Sequence, residues 1–197
     1  KQLLKNAAFR AEVAQRFAAH LNTTYEPARG IGIIDDMAAA IRPEMPAHIA
    51  RWGQPASMTE WEARVEYLRY FATVRPPNLR KHLRALVGNK PDAMLTINID
   101  GDGRVLVAGA EVSDGYSGPH FRDVPITLTA VPDPGKLFDH WLETGETTPV
   151  IAIPFIGDTT RTAVFGEEPP PPPPPNLVIN ELHHTPDAEK AIELHEK

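Results

Sequence analysis

The sequence contains no cysteine, which excludes disulfide frameworks, thiolate metal sites and cysteine nucleophiles. Aromatic side chains make up only 7% of its 197 residues, so no single unit has many large anchors for a core. No apolar run approaches the ~20 residues that a membrane-spanning helix requires, and no span is expected. Excess positive charge is also missing. Twenty Lys and Arg face 26 Asp and Glu, a formal net charge of −6. Proteins that grip nucleic acid draw affinity from neutralising phosphates, so this balance argues against a nucleic-acid partner. No glycine-rich phosphate loop, nucleophile–base signature or metal-ligand constellation occurs. No catalytic, cofactor-binding or metal-ligating residue is therefore assigned. The chain starts at Lys1 without a signal-peptide pattern, and both ends are expected to be cuts through a longer protein.

What is present divides by periodicity. Residues 1–88 read as helical. Phe9, Val13, Phe17 and Leu21 recur every fourth residue and are expected to line one buried face. A second helix is expected from about Ala28 to Ile41, with Ile31, Ile34, Met37 and Ala38 inward. Pro46 opens a short turn carrying His48, Ile49 and Trp52. Ser57-Met58-Thr59-Glu60 has the capping-box spacing, followed by a stripe of Trp61, Val65, Leu68 and Phe71-Ala72. Arg75-Pro76-Pro77 is expected to stop that helix, because a residue before proline avoids the helical region. A further helix would then bury Leu79, Leu83, Leu86 and Val87, with Gly88 as its C-cap.

From residue 92 to 166 the period is two. Strands are expected at Met94–Ile99, Arg104–Val107, Val124–Val131, Leu137–Leu142, Val150–Ile153 and Thr160–Phe165. Asp100-Gly101-Asp102-Gly103 is expected to be a hairpin turn between the first two. Residues 167–175 form a linker whose Pro169–Pro175 run would make a polyproline rod of roughly 20 Å, at ~3.1 Å per residue. Such a rod separates folded units, so residues 176–197 are assigned to another domain, with strands at Leu177–Ile179 and Ala191–Leu194. The expected fold class is α+β in separate units: an N-terminal helical bundle fragment, a small antiparallel β module, a polyproline linker and the start of a truncated β-sandwich.

Three segments resemble known families. Phe9-Arg10, Leu21-Asn22, Arg42-Pro43-Glu44-Met45, His48, Arg51-Trp52, Phe71-Ala72 and Arg75-Pro76 resemble the C-terminal helices of CotH-kinase-family (spore coat protein H-like) proteins. Ala130-Val131-Pro132, Pro134-Gly135, Phe138-Asp139-His140-Trp141 and Thr162-Ala163-Val164-Phe165 resemble small bacterial surface repeats. Val178-Ile179-Asn180-Glu181-Leu182-His183 and Ile192-Glu193-Leu194-His195 resemble the opening of a lamin tail domain, an immunoglobulin-like sandwich. The resemblance implies a secreted or surface-located bacterial protein. It places ATP and divalent metal in a kinase core upstream, with that core as the principal partner of these helices. It also implies a non-catalytic role here as support, spacer or interaction module, with a cell-surface protein or polysaccharide as the alternative partner.

Several residue groups invite chemistry and were weighed against plainer roles. Asn98, Asp100, Asp102 and Gly103 have calcium-loop spacing, but position twelve falls on Gly109 and the flanks read as strands, so a turn is expected. His183, His184 and His195 lack a fixed third or fourth ligand for zinc. His48, near Arg51 and Trp52 and without a partner nucleophile, is expected to pack at a helix junction, and Glu44, Glu60, Glu62 and Glu66 read as a solvated helix face. Trp52, Trp61 and Trp141 are expected to be core anchors. Arg75, Arg80, Lys81 and Arg84 form a basic stretch, read as a solvated face or as a hold for an acidic surface of the kinase core.

Overall fold

The architecture comes from a computed structural model that describes residues 2–168, 177–182 and 192–196. Two compact units divide the chain, Lys1–Glu167 and Glu168–Lys197. In the first, four helices precede eight strands: α1 (Ala7–Asn22), α2 (Pro27–Ile41), α3 (Met45–Trp52) and α4 (Met58–Leu86). The helices start as the sequence dictates. Asn6 caps α1 by accepting the Phe9 N–H at 3.2 Å, and Pro27 and Pro46 sit in first turns where no helical donor is lost. Ser57 Oγ accepts the Glu60 N–H at 3.2 Å, while the Glu60 carboxylate accepts the Ala56 N–H at 2.7 Å. The reciprocal cap therefore reaches one residue further upstream than the simplest capping box. That backbone bond and the Arg64 guanidinium hold the Glu60 carboxyl below the usual carboxylate range.

The expected stop at Pro76-Pro77 does not occur: α4 runs through both prolines for 29 residues, roughly 44 Å at 1.5 Å per residue. Its two ends are anchored in different cores. Trp61 and Val65 pack with Ala38 and Met45, flanked by Ile34, Ile49 and Met58. Leu83 packs with Ala14, Ala18, Leu21, Phe121 and Val124. Packing at both ends outweighs the local cost of the two missing N–H donors. Between Val65 and Leu83 no residue of α4 is buried. Gly88 ends the helix at φ +73°, as expected of a C-cap glycine, and Asn89 N–H returns to Arg84 O at 2.9 Å.

The strands are β1 (Asp92–Asp100), β2 (Gly103–Val107), β3 (Ala110–Val112), β4 (Tyr116–Phe121), β5 (Ile126–Pro132), β6 (Lys136–Trp141), β7 (Val150–Ile153) and β8 (Thr159–Glu167). They form two four-stranded sheets, ordered β4-β1-β8-β6 and β3-β2-β5-β7. Alternate residues of both sheets, among them Leu95, Ile97, Val105, Val107, Ile126, Leu128, Trp141 and Phe165, share one apolar core. The module is thus a β-sandwich. It is not wholly antiparallel as expected: β8 enters the first sheet after β7 of the second, and lies parallel to β1.

The expected hairpin at residues 100–103 is instead a corner between sheets, because β1 and β2 pair with different neighbours. The glycines serve close approach as well as turning. A Cβ on Gly101 (φ +94°) would lie 2.6 Å from Phe165 O, and one on Gly103 would lie 2.5 Å from the Phe165 ring. Gly101→Ala combines a left-handed backbone with a clash against main chain. It is expected to cost at least about 2 kcal/mol in urea denaturation. A loss within error of zero would disprove this account of the corner.

Two strands, β3 and β4, were not expected. Gly115, Gly118 and Pro119 punctuate β4 like a loop, yet β4 is an edge strand, where proline is tolerated. The expected break between residues 88 and 92 is a change of secondary structure. Across it α1 lies on β4, and Lys1–Glu167 forms one compact unit. The reason is the face α1 presents. Ala14, Ala18 and Ala19 are fully buried, and small side chains let the helix approach the sheet closely. Phe17 of the expected inward stripe is instead exposed, and Phe9 and Val13 are only half-buried.

The second unit is described by its strands β9 (Leu177–Leu182) and β10 (Ile192–Glu196), an antiparallel pair with a bulge between Glu193 and Leu194. These are the two strands expected there. The Pro169–Pro175 run, His183 and His184 lie outside the described residues.

Candidate functional site

A buried polar chain joins the helices to the sandwich. Gln15 on α1 donates from Nε2 to Phe121 O and Val124 O, both at 2.8 Å. Two carbonyl acceptors fix which end of the amide is nitrogen. Its Oε1 therefore accepts, from Phe121 N–H at 3.2 Å and from His120 Nδ1 at 3.3 Å. His120 thus carries its proton on Nδ1, and Nε2 accepts from the Tyr116 hydroxyl at 2.8 Å. The Tyr116 oxygen accepts from Asn22 Nδ2 at 2.8 Å, and Asn22 Nδ2 also reaches Pro119 O at 3.0 Å. Arg80 of α4 closes the series, donating to Asn22 Oδ1 at 2.6 Å and to Pro119 O at 3.0 Å. Every member of the series finds a partner, which is what makes a buried polar network tolerable.

Burial tunes this network. It pushes the Tyr116 phenol up to about 12, and it lowers His120 to about 3, with the nearby Arg80 charge acting in the same direction. Burial also lowers Arg80 from its ordinary value. Gly118 is required by the same geometry: a Cβ there would meet Asn22 Nδ2 at 2.5 Å and the Tyr116 hydroxyl at 2.7 Å. A neutral, fully bonded histidine with no open side for a substrate is a structural joint.

On the other side of α1 lies an apolar groove of about 640 Å³. Phe17 and Leu21 of α1, Gly30 and Ile33 of α2, and Phe71 and Pro76 of α4 form its walls. Gly30 lies at the crossing of α2 and α4, where a Cβ on it would meet the Ala72 Cβ at 3.6 Å, an ordinary van der Waals contact. Ile33 and Phe71 remain 50% and 49% exposed, and the apolar stripe continues along α2 through Met37 and Ile41, 66% and 51% exposed. Glu26, Arg29 and Arg75 supply the charge at its lip.

The other residues singled out in the sequence are dispersed. Glu62 pairs with Arg42, Glu66 with Arg69 at 2.9 Å, and Arg69 with Asp35 at 2.6 Å. These are the solvated helix-face pairings expected. His48 is exposed. Trp61 and Trp141 are core anchors, but Trp52 is 63% exposed, under the Arg51 guanidinium at 4.9 Å, because the eight-residue α3 buries only Met45. Asp102 pairs with Lys136 at 3.0 Å, and Asn98 faces Thr162 on β8. His195 lies on β10 opposite Val178. Of the basic stretch, Arg80 and Arg84 turn inward, Arg84 onto Asp92, which corrects the expectation of one solvated face. Sequence reasoning missed the joint entirely. Tyr116 and His120 sit two strand repeats apart, but the glycine and proline between them hid the strand.

All the groove-lining residues fall within one family match. Residues 1–79 match the family model described as CotH kinase protein. No curated protein and no solved structure matches the chain. The matched segment contributes Gln15 and Asn22 to the joint, while Arg80, Tyr116 and His120 lie beyond its end. The CotH-matching helices are thus keyed into a sandwich that the family model does not cover. Among the described residues no helix is long and apolar enough to cross a membrane.

Proposed function

We propose that the chain is a non-catalytic C-terminal part of a secreted or surface bacterial CotH-family protein. Its helices pack against a kinase core in the same polypeptide, and its sandwich braces them. ATP and divalent metal belong to that core. The sandwich stands as the surface-repeat-like module, and the proline run leads to a lamin-tail-like unit begun by β9 and β10. The observation that supports this reading is the uncovered apolar groove inside the CotH-matching residues, bordered by a stretch of α4 in which no side chain is fully buried. A helix anchored at both ends, with Phe71 left half exposed beside Ile33 between them, leaves an apolar face that another element can cover. The alternative, a cell-surface binding module for polysaccharide or protein, would be favoured by exposed aromatics on one sheet face. Among the described residues of β1–β8 the exposed large apolar side chains are Met94, Leu137 and Val150, with no aromatic among them.

Titrating Mg·ATP into the chain in a calorimeter is expected to give no saturable heat, whereas micromolar affinity would overturn the non-catalytic assignment. In parallel, hydrogen exchange should show amides of residues 66–78 opening more readily than those around Leu83. Equal protection in the two stretches would mean that the groove needs no cover.

A further inference from the structure

The apolar groove identifies a place for a partner, and its charged lip identifies the kind of partner. Most arginines of this acidic chain are already engaged. Arg16, Arg42, Arg64, Arg69, Arg84 and Arg104 each have a carboxylate within 4 Å, and Arg80 is held by Asn22 and a backbone carbonyl. Among the described residues Arg29 and Arg75, like Arg10, Arg51 and Arg161, have no ion-pair partner, and of these five Arg29 and Arg75 are the two that line the groove. They come from different helices at the same end of it. Arg29 precedes Gly30, which meets Ala72 at the α2–α4 crossing, and Arg75 follows Ala72 by one helical turn. Glu26 is the one acidic side chain in the lining, so the lip carries a net charge of +1 on a chain of net −6. Two unpaired guanidinium groups thus meet at the groove, opposite in sign to the net charge of the chain.

We propose that the groove receives an amphipathic helix whose apolar face fills the Phe17–Ile33–Phe71 trough and whose acidic side chains pair with Arg29 and Arg75. This rests on the reading of the groove as a docking face and adds the chemistry of what docks. The apolar walls supply affinity, as in other helix-in-groove recognition. The two guanidinium groups set orientation and choice of partner, because planar bidentate donors match carboxylates and an approaching lysine would be repelled. Of the basic residues read in the sequence as a hold for an acidic surface, Arg80 and Arg84 are engaged within the fold, and Arg75 is the one that lines the groove. It acts with Arg29, which the sequence did not single out.

The test uses the full chain and two designed helical peptides with identical leucine and phenylalanine anchors, one flanked by glutamate and one by lysine. Fluorescence anisotropy is expected to show the glutamate peptide binding at least about tenfold more tightly. The double variant Arg29→Glu/Arg75→Glu should reverse the order, and Ile33→Asp should abolish binding of both. Unchanged melting curves for the variants, whose substituted side chains are exposed, would separate lost docking from lost folding. Equal binding of both peptides, still abolished by Ile33→Asp, would overturn the acidic partner and leave the docking face standing. Binding of neither peptide would overturn both. A concentration-dependent dimer of the chain that Ile33→Asp abolishes would give the groove to a second copy and overturn the proposal.

Discussion

Gln15→Leu is expected to remove roughly 3–6 kcal/mol of stability, a large share of the 5–15 kcal/mol typical of a folded domain. Leucine is of similar size but can neither donate nor accept, so lost hydrogen bonding dominates the cost. It leaves four groups on β4 and its flank without their partner: Phe121 O, Val124 O, Phe121 N–H and His120 Nδ1. All are enclosed by α1, with Gln15 itself 1% exposed and His120 fully buried. Each buried group left unbonded costs about 1–3 kcal/mol, and relaxation of the helix makes the sum less than additive. Urea denaturation followed by circular dichroism measures the loss. Glu12→Gln, one turn away, breaks only an exposed i,i+4 pair with Arg16 and should cost less than about 0.5 kcal/mol. If Gln15→Leu stays within about 1 kcal/mol of the parent while the melt remains cooperative, the joint contributes little and the fold is held by its apolar clusters alone.

The contrast between Gln15 and its neighbours shows what sequence can reveal. Most elements announce themselves. The Ser57 cap, the Gly88 stop and the alternation of Ile126, Leu128 and Ala130 each follow from a local rule that tertiary structure leaves intact. Errors cluster where a distant partner decides. Phe9, Val13 and Phe17 outrank alanine and glutamine on any apolar scale, but α1 buries its alanine side because only small residues allow the close approach to β4. Pro76-Pro77 is a local stop signal overridden by anchoring on both sides. Asp100-Gly101-Asp102-Gly103 has hairpin chemistry, but whether the next strand turns back or crosses to another sheet depends on Phe165, more than sixty positions away. The joint is the extreme case, because its residues come from three stretches and no one stretch carries a motif. The groove was only half legible. The surplus of apolar residues on the helices was visible, but which of them lack cover depends on packing.

Acidification is expected to weaken the same joint from the histidine side. His120 is neutral in the fold because burial, aided by Arg80, lowers it to about 3 from an ordinary 6.5. Below pH 6.5 the unfolded chain therefore binds a proton that the native state refuses. The stability contributed by the neutral imidazole is complete above that pH and falls as pH drops toward 3, at up to about 1.4 kcal/mol per pH unit. The full loss across that window is on the order of 5 kcal/mol. The surroundings offer no relief. Gln15 from α1 and Tyr116 from β4 hold both ring nitrogens, Arg80 from α4 opposes a second positive charge, and the Phe155 ring packs edge-on at 6.2 Å. A proton on Nε2 would also end its acceptance of the Tyr116 hydroxyl and break the donor series at its centre. Tyr116 sets the opposite limit. Its phenol is raised to about 12, so its contribution is complete below pH 10 and declines as pH rises through the folded value. The joint is thus fully effective on a plateau between about pH 6.5 and 10, with the larger total fall on the acid side, where the shift is wider. Other groups also titrate in acid, so the decisive measurement is a difference. Urea midpoints of the parent and of His120→Gln, taken from pH 4 to 8, should converge as pH falls, because a glutamine cannot charge. Parallel profiles would mean that His120 takes up its proton within the folded protein at little cost, and that the joint is wetter than its geometry implies.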